Sequence, residues 1–121
     1  MEYDENNIFA KIIRKEIPCE KIYEDDFVLS FYDINPQKKI HALVIPKGKY
    51  VDLDDFCINA SDEEMCGLLK GINKVAIKLG ISSIKGSGYR ALTNIAENGG
   101  QEIPHLHFHL FGGEKIGKMV E

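Results

Sequence analysis

Three of the chain's 4 histidines stand at alternate positions, in the run His105-Leu106-His107-Phe108-His109-Leu110-Phe111. Side chains of an extended strand point to opposite faces in turn, so this spacing predicts the three imidazoles on one face and Leu106, Phe108 and Leu110 on the other. The fourth, His41, opens another strand-like run, His41-Ala-Leu-Val-Ile-Pro46, and all four rings are expected to converge on one site. An accident of surface composition fits poorly with three of four histidines falling into register. Two chemistries fit better. Two imidazoles at alternate strand positions plus a third make a zinc geometry with an open position for water. Alternatively, one imidazole attacks phosphorus while its neighbours hold its tautomer and handle protons. The turn Asn98-Gly99-Gly100-Gln101-Glu102 just upstream favours the second, because glycines let backbone N–H groups approach an anionic oxygen closely. No run of Asp or Glu accompanies the histidines in sequence, which points away from hard-cation sites.

Such a site needs a folded support. The 121 residues suit one domain with a core of its own, and a hydrophobic share of 44% with a charged share of 28% is that of an ordinary globular protein. No apolar run approaches the roughly 20 residues of a membrane span, so no membrane partner is expected. The start, Met1-Glu-Tyr-Asp-Glu-Asn, is acidic where a targeting peptide would be basic, and a cytoplasmic location is the expectation. Formal net charge is -4, and the lysines and arginines are scattered rather than gathered on one face, which excludes nucleic acid as an expected partner. The 3 cysteines, Cys19, Cys57 and Cys66, form no Cys-x-x-Cys pair and read as reduced, half-buried thiols.

The elements that position the histidines follow from local signals. Asn7 caps a short helix over 7–16, and Pro18 bars its continuation. Residues 21–24 and 27–33 read as a hairpin about Asp25-Asp26. Asn35-Pro36-Gln37-Lys38 is a turn before the His41 strand. The clearest helix covers 61–79. Ser61 and Glu64 form a capping box, Gly80 suits a C-terminal cap, and Met65, Leu68, Leu69, Ile72, Val75, Ala76 and Leu79 make an apolar stripe. A Gly/Ser-rich loop at 80–88, a strand at 89–95, a glycine-bearing turn at 96–100 and the histidine strand at 103–112 complete an α+β chain. The expected sheet has about five strands, mostly antiparallel, with one long and one short helix.

At this point the motifs resemble a known family. The histidine run matches the His-φ-His-φ-His-φ-φ motif of the histidine triad superfamily. Ile8-Phe-Ala-Lys-Ile-Ile-Arg-Lys-Glu-Ile-Pro18, Tyr32-Asp-Ile-Asn-Pro-Gln37, His41-Ala-Leu-Val-Ile-Pro-Lys47, Tyr89-Arg90, Asn94 and Gly99-Gly-Gln101 are similar to its Hint branch, over residues from about 8 to 113. The resemblance implies a HIT-like fold in a single domain and a purine nucleoside phosphoramidase that cleaves the P–N bond of adenosine or guanosine 5'-phosphoramidates and also acts on acyl-adenylates. It implies His107 as nucleophile, with a nucleotidyl-histidine intermediate that water resolves to AMP or GMP. It places the His105 carbonyl on the nucleophile's ring, His109 at the phosphate and His41 in the proton network. Asp33 would hold the ribose hydroxyls. Phe9, Ile12, Ile17, Phe31, Ile34 and Leu43 would line the purine slot, although each taken alone reads more readily as core. Asn94, Gly100, Gln101 and Glu102 would contact the phosphate and leaving group. A homodimer is implied, joined through the long helix and an edge strand, for which Met65, Cys66 and Leu69 offer apolar surface.

The chain departs from the family pattern in three places. Glu102 stands where animal relatives have serine, which implies a prokaryotic type. The tail from Glu114 lacks a tryptophan that in relatives reaches across the dimer. Asn7, Ala10 and Lys49 occupy positions where some relatives bind zinc through Cys-x-x-Cys and a histidine, so neither metal nor cofactor is expected. A non-catalytic nucleotide-binding protein, a dinucleoside polyphosphate hydrolase and a zinc hydrolase stand as alternatives.

Overall fold

Five antiparallel strands, β1 (Lys21–Glu24), β2 (Val28–Tyr32), β3 (Ile40–Pro46), β4 (Arg90–Leu92) and β5 (Phe108–Gly112), form one sheet in the spatial order β1-β2-β3-β5-β4. The computed structural model describes residues 1–119. The α+β class and the expected hairpin of β1 and β2 are both present. The helices are more numerous than one long and one short: α1 (Ile8–Ile13), α2 (Leu53–Asn59), α3 (Asp62–Lys78) and α4 (Ala96–Gly99) occur among the described residues. Sequence reading leaves α2 unassigned because Phe56 is its one well-buried apolar side chain. Its N-terminus is set instead by carboxylates, with Asp52 accepting from Asp55 N at 2.9 Å and Asp55 accepting from Val51 N at 2.8 Å.

The long helix behaves as its caps predict. The Ser61 hydroxyl accepts from Glu64 N and the Glu64 carboxylate accepts from Ser61 N, both at 3.1 Å. At the other end Gly80 turns left-handed with φ 73°, while Gly80 N and Ile81 N return to the carbonyls of Ile77 and Ala76. Leu68, Ile72, Val75 and Ala76 are buried, but Leu69 is 68% exposed and lies off the packed stripe. Gly67 and Gly71 face the sheet instead. A Cβ on Gly67 would stand 2.4 Å from Phe27 Cγ and one on Gly71 2.7 Å from Val28 Cγ2, so these two positions set how closely helix and sheet approach. The first helix is shorter than expected because Lys15 adopts φ 65° and closes α1 through Lys15 N to Ile12 O and Glu16 N to Lys11 O.

Strand alternation divides the interior in two. Val28, Ala42, Val44, Leu106 and Leu110 pack on α3. Leu29, Phe31, Leu43 and Ile45 project to the other face, where Phe9 and Ile12 of α1 cover them. Both faces of β3 are therefore buried, and its centre reads as an unbroken apolar run, Ala-Leu-Val-Ile. The covering by α1 is partial, and the uncovered part of that face is where the histidines lie.

Three expectations need correction. The histidine strand, expected over 103–112, begins only at Phe108. The β3–β5 ladder runs from Ile40↔Gly112 to Val44↔Phe108; continued, that register sets Ile45 opposite His107 and then Pro46, which has no N–H to give, opposite Leu106. Leu106 N donates instead to Tyr50 O at 2.8 Å. The strand expected over 89–95 pairs only at Arg90–Leu92. Cys57 and Cys66 are exposed rather than half-buried, Cys19 is intermediate, and all three are free thiols. No described helix is long and apolar enough to cross a membrane.

Candidate active site

The β3–β5 register sets His41 opposite Phe111 and Leu43 opposite His109, so these side chains share the face of the sheet that α1 leaves open. Phe111 organises two of the rings. It stacks parallel to His109, with ring centroids 5.8 Å apart, and lies 4.3 Å from the His41 ring. Phe9, reaching over from α1, meets His107 edge-on at 4.9 Å. His107 and His109 rings are 5.1 Å apart.

The hydrogen bonds determine where each proton sits. His107 Nδ1 lies 2.7 Å from the His105 carbonyl oxygen, and a carbonyl only accepts, so Nδ1 carries the proton and Nε2 holds a lone pair. His105 Nε2 lies 2.8 Å from Pro46 O and is protonated for the same reason, leaving His105 Nδ1 to accept from the Tyr3 hydroxyl at 2.6 Å. Gln37 N donates to His41 Nδ1 at 3.2 Å. His41 Nε2 is then the donor to His109 Nδ1 at 2.9 Å, with Asp33 Oδ2 at 3.5 Å beside it, and His109 keeps its proton on Nε2. Burial pushes all four rings below the ordinary imidazole pKa. His105 and His109 fall to about 4, the neighbouring His107 adding to the burial effect in both. His41 is lowered by burial against the pull of Asp33, and His107 by burial against its bond to the His105 carbonyl and the charges of Asp33 and Glu102. At neutral pH the site is a set of neutral imidazoles, with a lone pair on His107 Nε2 and an N–H on His109 Nε2.

Three of these rings border a cleft of about 520 Å³. His41, His107 and His109 form its polar floor with Asp33, Asn94 and Glu102. Phe9, Ile12, Phe31, Ile34 and Leu43 line its apolar part, and Gly100 its rim. An apolar slot leading to convergent polar groups is the ordinary form of a small-molecule site.

The HIT domain family matches residues 14–116. This chain belongs to that family. Among relatives of this HIT protein, an uncharacterised 13.2 kDa HIT-like protein of Azospirillum brasilense is 49% identical over 118 residues, covering 98% of this chain and 94% of the relative. The purine nucleoside phosphoramidase of Escherichia coli K12 is 40% identical over 117 residues, covering 96% and 94%. Among solved structures, a HIT family hydrolase from Clostridium thermocellum superposes with a TM-score of 0.84 at 39% identity, covering 98% of this chain and 99% of that one.

Three of the residues singled out from sequence do not reach the cleft of this HIT protein. The His105 ring is fully buried behind it. Ile17 packs against the apolar cluster under α1. Gln101 braces the loop, its Nε2 donating to Val51 O and Ile103 O and its Oε1 accepting from Ala96 N. The glycine turn also serves the loop. The N–H groups of Gly99, Gly100 and Gln101 close α4 onto the carbonyls of Ile95, Glu97 and Ala96, with Gly100 at φ 75°, so these amides are engaged in the turn. Asn94 Nδ2 is tied to Gly99 O at 2.7 Å, which leaves its Oδ1 to accept.

Three residues that hold the histidines in place carry no site role in the sequence reading. Gln37, by sequence part of a turn and of the Tyr32-to-Gln37 segment, sets the His41 tautomer through its N–H. Thr93 donates its hydroxyl to the His107 carbonyl at 2.7 Å. Tyr3 carries no local signal, since its partner His105 is 102 positions away. The structure also brings an acidic group that the linear reading did not place with the histidines. Asp33, His41 and His109 offer ligand atoms within 4.8 Å of one another. Because His41 and His109 share a proton directly, a cation could bind there only by displacing it.

Proposed function

We propose that this protein hydrolyses purine nucleoside 5'-phosphoramidates and related adenylates through a nucleotidyl-histidine intermediate on His107. The observation that carries the reading is the His107 ring itself, buried, neutral and locked by the His105 carbonyl so that Nε2 is the nitrogen free to attack. The name of the Escherichia coli relative supports the substrate class.

The nucleoside lies in the apolar slot of Phe9, Ile12, Phe31 and Leu43, with Ile34, 87% exposed, at its mouth and the Asp33 carboxylate accepting from the ribose hydroxyls. His107 Nε2 attacks phosphorus, and the P–N bond breaks with its electron pair going to the departing nitrogen. The imidazole becomes cationic, and the Nδ1–H bond to the His105 carbonyl stabilises that charge. The departing nitrogen takes its proton from His109 Nε2. An anionic phosphate beside His109 favours the charged ring and so offsets the burial that keeps it neutral in the free protein. Water then attacks phosphorus and gives its proton to the now neutral His109, the P–Nε2 bond breaks with its electron pair returning to His107, and AMP or GMP leaves.

The chain is read as one domain, since one sheet carries both apolar clusters. It is read as a homodimer on the strength of exposed apolar side chains such as Leu69 on α3.

The test is turnover of adenosine 5'-phosphoramidate by the wild type and His107→Asn in the presence of a chelator, with mass spectrometry for an AMP adduct. Chelator-resistant AMP release, lost by about a thousandfold or more in the variant, with an adduct on His107, is the expected result. Nucleotide binding without turnover would move the case to a binding protein. Activity that vanishes with chelator would move it to a zinc hydrolase.

A further inference from the structure

We propose that Tyr3 is a positioning residue for His107: its hydroxyl holds the buried His105 ring in one tautomer and thereby holds the His105 carbonyl on the nucleophile's Nδ1. The proposal deepens the reading above and rests on it for its kinetic consequence.

The His105 side chain is fully enclosed, and its two ring nitrogens have one partner each. Pro46 O requires a proton on Nε2. That leaves a lone pair on Nδ1 in an interior where an acceptor without a donor is costly, and Tyr3 Oη at 2.6 Å supplies the donor. In the opposite tautomer the Nε2 lone pair would face the Pro46 carbonyl, so the ring would have to move. Its movement would reach His107 by two routes. One is the peptide of His105, whose oxygen is 2.7 Å from His107 Nδ1. The other is Phe9, which meets His105 edge-on at 6.3 Å and His107 edge-on at 4.9 Å.

The segment that delivers Tyr3 is built to stay in place. Lys49 Nζ is 2.9 Å from the Glu5 carboxylate, Arg14 Nη1 donates to Glu5 O at 2.9 Å, and Asn7, the cap of α1, donates through Nδ2 to Asp4 O at 2.7 Å. Burial raises the Tyr3 pKa, which keeps the hydroxyl protonated for its bond to His105. Tyr3 does not line the cleft, so its influence is expected on the chemical step and not on nucleotide affinity.

The experiment compares wild type, Tyr3→Phe and Glu5→Gln. Each is followed by 15N NMR of the histidine rings, AMP binding and phosphoramidate kinetics. In Tyr3→Phe the His105 Nδ1 resonance should lose its hydrogen-bonded shift and His107 its single Nδ1–H form. Its kcat should fall about tenfold, with AMP affinity unchanged. Glu5→Gln loosens the segment but keeps the hydroxyl, and should retain both the ring signals and kcat of the wild type. Unaltered His105 and His107 resonances in Tyr3→Phe would overturn the proposal. So would an equal loss in Glu5→Gln, which would show that the segment's packing and not the hydroxyl matters. A wild type that turns over no phosphoramidate defeats the proposed function instead, and the NMR comparison then decides the role of Tyr3 alone.

Discussion

His107 Nδ1 and the backbone carbonyl oxygen of His105 lie 2.7 Å apart, so the candidate nucleophile is oriented by a peptide group two residues away and not by a carboxylate. A carboxylate in that position would hold the ring's positive charge more strongly and raise its pKa. The neutral carbonyl fixes the tautomer while letting burial keep the ring below the ordinary imidazole value. The alternation that brings the carbonyl to the ring also turns Leu106 into the α3 core, where it is 1% exposed. Packing of that core therefore bears on the orientation of the nucleophile.

The pH dependence of activity follows from this pairing. Attack requires neutral His107, and burial lowers its pKa, so the acid limb of kcat/KM should lie below the ordinary imidazole value of about 6.5. Glu102 opposes the shift by favouring the imidazolium, so Glu102→Gln should move the acid limb to still lower pH. A pH profile of phosphoramidate turnover checks both. An acid limb above about 6.5, or one displaced upward in the variant, would contradict the assignment.

Stability should depend on pH through the same rings. The folded protein holds His105 and His109 down to about 4, whereas the unfolded chain titrates them near 6.5. Between those values the unfolded state binds more protons, so their contribution is complete above 6.5 and is lost as pH falls toward 4. The slope is at most about 1.4 kcal/mol per pH unit for each ring, and less for the partly exposed His109. Glu24, held down to about 2 by its bonds to Lys47 and Lys21, adds its own loss only at lower pH. Scanning calorimetry from pH 7.5 to 4.5 should show Tm falling through the upper window, and a flat Tm there would be inconsistent with neutral burial.

Helix packing can be tested at Gly67. Alanine gains about 1 kcal/mol of helix propensity over glycine, but its Cβ would stand 2.4 Å from Phe27 Cγ. Overpacking of this kind costs about 1–3 kcal/mol, so Gly67→Ala should destabilise the protein by about 1 kcal/mol in urea denaturation. A stabilised variant would show that the α3–sheet spacing is not set at this position.

The features legible in the linear chain are those with short-range causes. The capping box and Gly80 stop of α3, the Asn7 cap of α1 and the hairpin at Asp25-Asp26 all appear as their residues predict. So does the alternation within β5, which turns His109 to the cleft and Leu110 to the α3 core. Recognition of the family needed no more than the motif and its accessory segments in order.

What the chain did not disclose depends on partners far apart in sequence. The histidine strand starts late because β3 ends at Pro46, a constraint visible only once those two segments pair. Asp33 joins His41 and His109, and Thr93 anchors the His107 backbone from 14 positions away, by virtue of sheet register and loop paths. Gly99 and Gly100 invite a phosphate cradle when read locally, yet the folded loop uses their amides to close α4. The sequence by itself determined the family and the expected strand period of its imidazoles. The tertiary structure decided which nitrogen of each ring carries the proton, because a tautomer depends on what lies opposite each ring nitrogen, and for His105 those groups are Pro46 and Tyr3, 59 and 102 positions away.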